Sequence, residues 1–340
     1  MLQTAPELEK RRRLEEKLRR ELGQPVVDLL DSQGTVEDIL LNADGRLWVK
    51  QTGLSYEPFG TMTPTQARSL LSTVASMRNT EVTRHSPILE AELPIWGARF
   101  QGLIEPVVRD PVFAIRQRAL RIFTLAEYER TGILRSQERG TAEGERREDF
   151  LAAISGLTHR EVIEAAILLR KNILVVGATG SGKTTFLNAI LHEVAMATPD
   201  DRLVVIEDTP ELQVHSENSV SLLAVGAVSM LDCLRATLRL RPTRIVVGEV
   251  RGREALTLLK AWNTGHPGGV ASIHANDAAA GLIRLEALIA EDGSAPQPRL
   301  IAEAVDLIVS ISADAAEGRR VRELAVVLGY GDGRYQLVRV

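Results

Sequence analysis

The sequence is short of cysteine, of long apolar runs and of excess charge. Cys233 is its only cysteine, so an internal disulfide and a zinc cage made of cysteines are both excluded. No uninterrupted apolar run approaches the roughly 20 residues that cross a bilayer, and the first residues lack the apolar core of a signal peptide. The formal net charge of −4 argues against bulk electrostatic binding of nucleic acid. We therefore expect a cytoplasmic protein that does not bind nucleic acid directly.

The remaining composition is that of an ordinary globular chain. Hydrophobic residues make up 44% and charged residues 25% of the 340 residues, enough for about two domains with separate cores. Shifts in composition and pattern predict four segments. They are a charged N-terminal helix at 1–24, an α+β domain at 25–130, a charged interdomain linker at 131–150 and an α/β domain at 151–340.

The first helix carries a narrow apolar stripe on a highly charged surface. Leu14, Leu18 and Leu22 recur at intervals of four residues, as on one face of a helix. Two interpretations stay open. The stripe either packs the helix along one edge of the protein, or it forms a basic amphipathic surface that touches a membrane or a partner.

The segment that follows combines a hairpin, a capped helix and further strands. A turn at Asn42-Ala-Asp-Gly45 lies inside the apolar stretch Val36–Lys50, and the capping box Thr63-Pro-Thr-Gln66 starts a helix. Further strands are predicted between Ile88 and Val108. The segment shows no catalytic constellation of its own. Two more capping boxes, each the start of a helix, follow at Thr124 and Thr158.

The strongest motif is a glycine-rich loop between a strand and a helix. A β-branched run at 173–176 leads into Gly177-Ala-Thr-Gly-Ser-Gly182-Lys183-Thr184, and helical spacing continues after it. Glycines let backbone N–H groups turn inward around phosphate oxygens, and the helix directs its positive end at them. Lys183 would place a charge at the β- and γ-phosphates, and the Thr184 hydroxyl would hold Mg²⁺. The motif therefore predicts nucleotide binding, with contacts from Gly177, Ala178, Thr179, Gly180, Ser181, Gly182, Lys183, Thr184 and Thr185.

Acidic residues and a histidine follow the next predicted strands. Glu207 ends one strand, Glu249 another and His274 a third. Because the carboxyl ends of parallel strands face one crevice, these side chains are expected around the nucleotide. Glu249 is then the candidate that anchors Mg²⁺ together with Thr184, and Glu207 is the candidate that polarises the attacking water. The alternative for each glutamate is a surface carboxylate that caps the next helix.

Two histidines bracket the strand at 270–273. His266 lies in the glycine-rich arm before the strand, and His274 follows it. A neutral imidazole at this place could sense the γ-phosphate through a hydrogen bond. Zinc binding by this pair is not expected, since no further cysteine or histidine is spaced to complete a cage.

Arginines are concentrated between 235 and 253, in and after a predicted helix at 233–241. One account is helix solvation and interface pairing. A second is an arginine finger that reaches transition-state charge, in the same subunit or across an interface. A third, a basic path for nucleic acid, is not favoured because no aromatic stacking platform lies nearby. Alone, Arg99 and Arg116 in the N-terminal domain are surface charges or salt-bridge partners.

Four boxes in this order resemble the secretion traffic ATPases, which are the motors of type II secretion, type IV pili and type IV secretion. The boxes are Gly177–Thr185, Ile206–Leu212, Arg241–Arg251, and Thr264–His266 with Ile273–Asn276. The phrasing Leu-Lys-Ala-Trp-Asn-Thr-Gly-His-Pro-Gly-Gly is most similar to the conjugative-transfer branch, the TrbB-like proteins. The resemblance covers essentially the whole chain, strongly in 150–290 and weakly in 25–125.

The resemblance implies a RecA-like P-loop NTPase domain of α/β class and a smaller α+β N-terminal domain, with ATP and Mg²⁺ as ligands. It implies a homohexameric motor that works with inner-membrane components of a secretion channel, at the cytoplasmic side of that membrane. Carried over by position, the residues expected to be catalytic are Lys183 in Walker A, Glu207 in the aspartate box, Glu249 in Walker B, and His266 and His274 in the histidine box. The arginines that resemble phosphate-contacting ones are Arg99, Arg116 and Arg239.

Two departures from the family pattern narrow the function. Retraction motors of pili carry acidic residues just before the Walker B strand, where this chain has Arg241 and Arg244. Many type II secretion motors carry a four-cysteine zinc module, which the single cysteine of this chain cannot make. The function expected is therefore ATP hydrolysis that powers pilus assembly or substrate transfer in a conjugative type IV secretion system. The alternatives are a pilus or type II secretion motor of the same family, a P-loop kinase, and a ring subunit that binds nucleotide without hydrolysis.

Overall fold

A computed structural model describes residues 5–32, 34–118, 124–134, 143–291, 293–314 and 318–340. Contacts between Cα atoms divide the chain into two compact units, each with its own buried apolar core. Unit 1 comprises Met1–Arg135, Val225–Val228 and Arg239–Arg241. Unit 2 comprises Ser136–Ala224, Ser229–Leu238 and Pro242–Val340.

Unit 1 is an antiparallel six-stranded sheet with helices, which is an α+β arrangement. Its helices are α1 (Ala5–Leu22), α2 (Gln24–Asp31), α3 (Pro64–Met77) and α4 (Leu125–Arg130). Its strands are β1 (Val36–Leu41), β2 (Arg46–Gln51), β3 (Tyr56–Thr61), β4 (Ile88–Leu93), β5 (Ala98–Leu103) and β6 (Val112–Arg116). The strand order is β3-β2-β1-β6-β5-β4. The predicted hairpin is confirmed, since β1 and β2 pair around the turn at 42–45.

The apolar stripe of α1 packs into the core of unit 1. Leu18 and Leu22 are buried together with Leu70 and Leu71 of α3, which begins at the capping box of Thr63. Burial of a leucine side chain stabilises a fold by roughly 1.5–3 kcal/mol, so this stripe helps to fix the C-terminal half of α1. The first interpretation of the stripe is therefore confirmed for this half of the helix.

Unit 2 is built on an eight-stranded mixed sheet. Its helices are α5 (Glu143–Ile154), α6 (His159–Leu168), α7 (Lys183–Ala197), α8 (Met230–Thr237), α9 (Glu254–Asn263), α10 (Ala278–Ala290) and α11 (Pro298–Ala304). Its strands are β7 (Ile173–Gly177), β8 (Leu203–Glu207), β9 (Ser219–Leu223), β10 (Arg244–Val247), β11 (Val270–Ile273), β12 (Leu307–Asp314), β13 (Gly318–Gly331) and β14 (Arg334–Arg339). The order is β14-β13-β12-β7-β11-β10-β8-β9. The strands from β12 to β9 run parallel, and β13 and β14 form an antiparallel hairpin at one edge.

Buried strands explain why the parallel part of this sheet forms. β7, β8, β10 and β11 are buried at every position, and each is a short apolar run rich in valine and isoleucine. Runs of this kind suit a sheet that is covered on both faces. Helix–strand alternation then directs the carboxyl ends of all four strands toward one edge of the sheet.

Besides strands that the sequence did not predict, the structure differs from the sequence-based expectations at one helix and at the linker. The helix predicted at 233–241 was placed too late in the chain, because α8 runs from Met230 to Thr237. Arg241 has a left-handed φ of 61° ahead of Pro242. A residue before proline is disfavoured in the helical region, so the helix does not extend to Arg241. The linker predicted at 131–150 lies partly outside the described residues, at 135–142. From Glu143 onward the chain is already helical, with Phe150 buried in unit 2.

No helix in the described part of the chain is long and apolar enough to cross a membrane.

Candidate functional site

The glycine-rich loop connects β7 to α7 in the way that the motif predicts. Gly180 and Gly182 adopt positive φ angles of 76° and 98°, a region that favours glycine, and α7 begins at Lys183 directly after the loop. Ala178, Thr179 and Gly180 at the crest of the loop are exposed. The loop and the helix N-terminus therefore form an open anion-binding concavity.

Buried polar groups under the loop fit a phosphate ligand. Ser181 is 1% exposed, and its hydroxyl has no hydrogen-bond partner among the described residues. The Lys183 ammonium is also buried, and its Nζ atom donates to the carbonyl oxygens of Gly177 at 3.1 Å and Ala178 at 3.3 Å. A buried hydroxyl without a partner is costly unless an acceptor satisfies it. Phosphate oxygens are acceptors of this kind, so the residues present fit a nucleotide.

The protonation of Lys183 depends on two opposing effects. Desolvation by burial and, to a smaller extent, the positive charge of Arg251 lower the pKa of its ammonium from 10.5, while the negative charge of Glu249 acts in the opposite direction. Desolvation is the larger effect, so the net shift of the pKa is downward. An anionic ligand at the loop would favour the charged form of Lys183, as Glu249 does.

The order of the strands determines which strand-end residues meet. β11 lies between β7 and β10, and β8 lies on the far side of β10. His274 at the end of β11 is therefore the nearest strand-end residue to the phosphate loop, followed by Glu249 after β10 and then Glu207 at the end of β8. All three lie at the carboxyl edge of the sheet, where β7 gives way to the loop.

A chain of polar contacts runs along this edge. The Nζ atom of Lys183 lies 3.0 Å from Nδ1 of His274, and Nε2 of His274 lies 3.1 Å from Oε1 of Glu249. An ammonium can only donate, so Nδ1 accepts and the Nε2–H group donates to the carboxylate, as in a neutral imidazole. The structure thus joins Lys183, His274 and Glu249 in one network.

Arg251 extends the network toward β8. Its Nε atom donates to Oε1 of Glu249 at 2.6 Å, and its guanidinium also forms an ion pair with Asp208, the residue after β8. In the sequence, Arg251 is one of the clustered arginines, and its pattern predicts no specific role. Its position two residues after Glu249 was the available signal, but its bond to Asp208 depends on the neighbouring positions of β8 and β10.

Glu207 is held by the backbone of the loop that follows β8. Its Oε1 atom accepts hydrogen bonds from the N–H groups of Glu211 at 2.9 Å and Leu212 at 2.8 Å. The side chain is close to β10, since a methyl group on Gly248 would lie 3.2 Å from its Cγ. The carboxylate of Glu207 is therefore fixed next to the turn that carries Glu249, with one oxygen engaged by the two amides.

Thr184 and Thr185 occupy the first turn of α7. Thr184 is partly buried and Thr185 is exposed. A hydroxyl beside Lys183 and a carboxylate at the end of β10 are hard oxygen donors, the type that Mg²⁺ prefers. Thr184 and Glu249 thus have the right chemistry to hold the ion, directly or through water.

His266 is not brought into this network within one copy of the chain. It precedes β11 whereas His274 follows it, so the two histidines lie at opposite ends of one strand. Nδ1 of His266 lies 3.0 Å from the carbonyl oxygen of Pro242, just before β10 begins. The expected catalytic role of His266 has no support from this position and stays a prediction.

The three arginines predicted to contact phosphate all fall within unit 1. Arg99 and Arg116 face each other across β5 and β6, in a row with Glu92 and Asp38. Arg239 forms an ion pair with Glu90. All three arginines are thus exposed and lie near carboxylates of unit 1. The role of these arginines toward a nucleotide stays a prediction.

The arginines between 235 and 253 do not share one surface. Arg244 is 1% exposed and binds Asp201 and the carbonyl oxygens of Gly268 and Ile167, whereas Arg251 joins the network at Glu249. Arg235 and Arg253 are exposed. A continuous basic path for nucleic acid is therefore not supported, and structural pairing accounts for Arg244.

Fold and site together define a RecA-like P-loop NTPase domain accompanied by a smaller α+β domain. Residues 23–313 match the family described as type II/IV secretion system protein, and the chain belongs to that family.

Two relatives are similar over nearly the whole chain. The chain is 45% identical over 324 residues to the conjugal transfer protein TrbB of Rhizobium radiobacter, with 95% of this chain and 93% of the relative covered. It is also 45% identical over 325 residues to a protein of Sinorhizobium fredii named Probable conjugal transfer protein TrbB, with 96% and 93% covered. The similarity thus extends through both units.

A solved structure has the same fold. It is the VirB11 ATPase from the Brucella suis type IV secretion system in complex with sulphate, with a TM-score of 0.85 and 25% sequence identity. The alignment covers 94% of this chain and 96% of that chain. The expected fold class, a RecA-like C-terminal domain with a smaller α+β N-terminal domain, is confirmed.

Proposed function

We propose that this chain hydrolyses ATP and acts as a motor of a conjugative type IV secretion system. The observation that carries the proposal is the network from Lys183 through His274 to Glu249, at the mouth of a phosphate loop. Two TrbB relatives at 45% identity support the assignment to conjugal transfer. A protein that only bound a nucleotide would not need an ordered carboxylate network next to the loop.

The residues of this chain divide the chemistry among them. The phosphate-loop amides, the Lys183 ammonium and the N-terminus of α7 bind and orient the phosphates and stabilise charge that develops on them. Glu207 orients the attacking water through the carboxylate oxygen that the loop amides leave available. As the water oxygen bonds to the γ-phosphorus, the bond from that phosphorus to the leaving oxygen of ADP breaks. His274 links the lysine to Glu249 and senses the γ-phosphate.

Mg²⁺ would be held by Thr184 and Glu249. When bound, the ion neutralises charge on the phosphate oxygens and so favours attack on phosphorus. Arg251 keeps the Glu249 carboxylate in place through the hydrogen bond at 2.6 Å. The same guanidinium also pairs with Asp208, so Arg251 links the residues that follow β8 and β10.

The proposed site of action is the cytoplasmic face of the inner membrane, with inner-membrane channel components as partners. The N-terminal half of α1 is exposed and carries Arg12 and Arg13, whose side chains are 68% and 75% exposed. If this half touches anionic lipid, the double variant Arg12→Gln/Arg13→Gln will co-sediment less with vesicles that contain phosphatidylglycerol. Deletion of the helix is a poorer test, because Leu18 and Leu22 belong to the core of unit 1. Equal sedimentation of variant and wild type would remove the lipid contact.

Separation of binding from hydrolysis tests the role given to Glu207. Glu207→Gln keeps the shape and the acceptor oxygen that the loop amides need, but it removes the charge. We expect Mg-ATP to bind this variant with unchanged affinity and phosphate release to fall by about a hundredfold or more. A variant that releases phosphate at the wild-type rate would contradict the assignment.

A further inference from the structure

The β12–β13 hairpin brings an arginine against the phosphate loop. β12 lies beside β7, with Ile311 in register with Gly177, the first residue of the loop. β13 returns antiparallel, with Arg319 opposite Ala313. The start of β13 is therefore near the point where α7 begins, although Arg319 is more than a hundred residues away from the loop in sequence.

The Arg319 side chain lies over Gly182. A methyl group on the Cα atom of Gly182 would stand 3.0 Å from Cδ, 3.3 Å from Nε and 3.7 Å from Cζ of this arginine. The residue is exposed, and its guanidinium has no hydrogen bond or ion pair with any residue that the structure describes. Its neighbour Arg320, by contrast, does have a partner.

We propose that Arg319 binds the phosphate groups of the nucleotide held by the phosphate loop. The inference rests on the proposed function, because it takes the loop to be a nucleotide site. Arg319, the Lys183 ammonium and the N-terminus of α7 place positive charge around one small region, which is unfavourable unless an anion neutralises it. A guanidinium presents planar N–H donors that match phosphate oxygens. The ligand class is a nucleoside di- or triphosphate, recognised through its phosphates.

The contact between Arg319 and Gly182 gives the β12–β13 hairpin a direct role at the site. Gly182 is the residue whose missing side chain allows the arginine to approach, and its left-handed φ of 98° already favours glycine. Arg319 thus connects the bound phosphates to β13, which runs from the loop to β14 at the edge of the sheet.

Calorimetric titration of the full chain with ATP, ADP and inorganic tripolyphosphate, each with Mg²⁺, tests the inference. Arg319→Ala should weaken all three by about tenfold, the loss expected for a charge-assisted hydrogen bond. Arg319→Lys should recover part of this affinity. Arg320→Ala removes the same charge one residue further along β13 and should bind all three ligands like the wild type. Unfolding midpoints equal to that of the wild type confirm that the variants are folded.

Two results would overturn the role of Arg319. One is equal affinity of Arg319→Ala and Arg320→Ala for the three ligands. The other is a loss for ATP and ADP without a loss for tripolyphosphate, which would place the arginine at the base or the sugar. The variant Lys183→Ala distinguishes a failure of the inference about Arg319 from a failure of the proposed function. If Lys183→Ala binds ATP normally, the loop is not the nucleotide site and the proposed function fails too. If it loses ATP while Arg319→Ala keeps it, only the inference about Arg319 fails.

Discussion

At the scale of single residues, Glu249 is the carboxylate on which the contacts of the site converge. Its Oε1 atom accepts from Arg251 at 2.6 Å and lies 3.1 Å from Nε2 of His274, and its charge opposes the loss of the proton from Lys183. Charge-assisted hydrogen bonds are the stronger kind, so Arg251 contributes most to the position of the carboxylate. The position of Glu249 therefore depends on Arg251, a residue outside the phosphate-loop motif.

Replacement of Arg251 tests this dependence. Arg251→Ala should lower the rate of ATP turnover by about tenfold with little change in ATP affinity, because Glu249 loses its fixed position while the phosphate loop is untouched. The measurements are steady-state phosphate release and calorimetric titration. Arg253→Ala, an exposed arginine two residues later, is the control that should keep the wild-type rate. Equal losses in both variants would assign the effect to general surface charge.

The single cysteine offers a residue-scale test of the core of unit 2. Burial, with a smaller contribution from Asp232, raises the pKa of the Cys233 thiol from 9.0 to about 12. The folded chain thus disfavours the thiolate. Between about pH 9 and pH 12 only the unfolded chain ionises, so stability falls as pH rises through that range and is unaffected by this group below it. We expect no reaction with a thiol reagent at pH 8 until denaturant is added. Fast reaction of the native protein would contradict the buried position.

Single residues also show what sequence patterns could and could not predict. The strand-end rule pointed to Lys183, Glu249 and His274, and the structure brings these three together. The same rule separates His266 from His274, because His266 precedes the strand and so lies at its amino end. Only the resemblance to the family's histidine box grouped the two histidines as catalytic. Arg319 lay beyond prediction, since its contact with Gly182 requires the pairing of β12 with β7, which joins distant parts of the chain.

At the scale of elements, the strand that carries the phosphate loop is supported by α10. This helix begins at Ala278 and is capped by Asp277, whose side chain accepts from the N–H group of Ala280, and it packs on β7 through Gly281. A methyl group at Gly281 would lie only 2.7 Å from Cγ1 of Val176. The close approach of helix and strand therefore requires glycine at this position.

Gly281→Ala tests the packing of α10 on β7. Alanine favours a helix interior by up to about 1 kcal/mol over glycine, but overpacking against a buried, β-branched neighbour costs roughly 1–3 kcal/mol. We expect the clash to be larger, so the thermal unfolding midpoint of unit 2 should fall by a few degrees. Gly329→Ala in β13, also in unit 2, is the control, because a methyl group there would meet only Oε1 of Gln336, at an ordinary contact distance of 3.6 Å. A midpoint for Gly281→Ala at or above that of the control would contradict the packing.

Element prediction succeeded where local chemistry was decisive. The capping boxes at Thr63, Thr124 and Thr158 each start a helix in the structure. Three strands, β3, β6 and β9, were not predicted. β9 at the sheet edge alternates serine with apolar residues, while β6 is a short strand that becomes central only because β1 and β5 pair with it. Strand order could not be predicted either, and it alone explains why His274 lies between Lys183 and Glu249.

At the scale of the whole molecule, the chain combines an antiparallel α+β unit with a RecA-like unit, and its similarity to TrbB relatives spans both. Assembly into a homohexameric ring belongs to the proposed motor function. Native mass spectrometry with and without Mg-ATP measures it directly. The proposed motor predicts a mass near six times 37.2 kDa when nucleotide is present. A monomer or dimer under both conditions would contradict the ring and favour a kinase-like enzyme.

The most direct test is the rate of phosphate release from Mg-ATP by the purified full chain and by Lys183→Ala. The account predicts steady release by the wild type and a fall of at least about a hundredfold in the variant, because the lysine both binds the phosphates and stabilises their developing charge. A circular dichroism spectrum equal to that of the wild type controls for folding. Equal rates in the two proteins would contradict the view that the carboxyl ends of β7, β8, β10 and β11 form one ATP-hydrolysing centre.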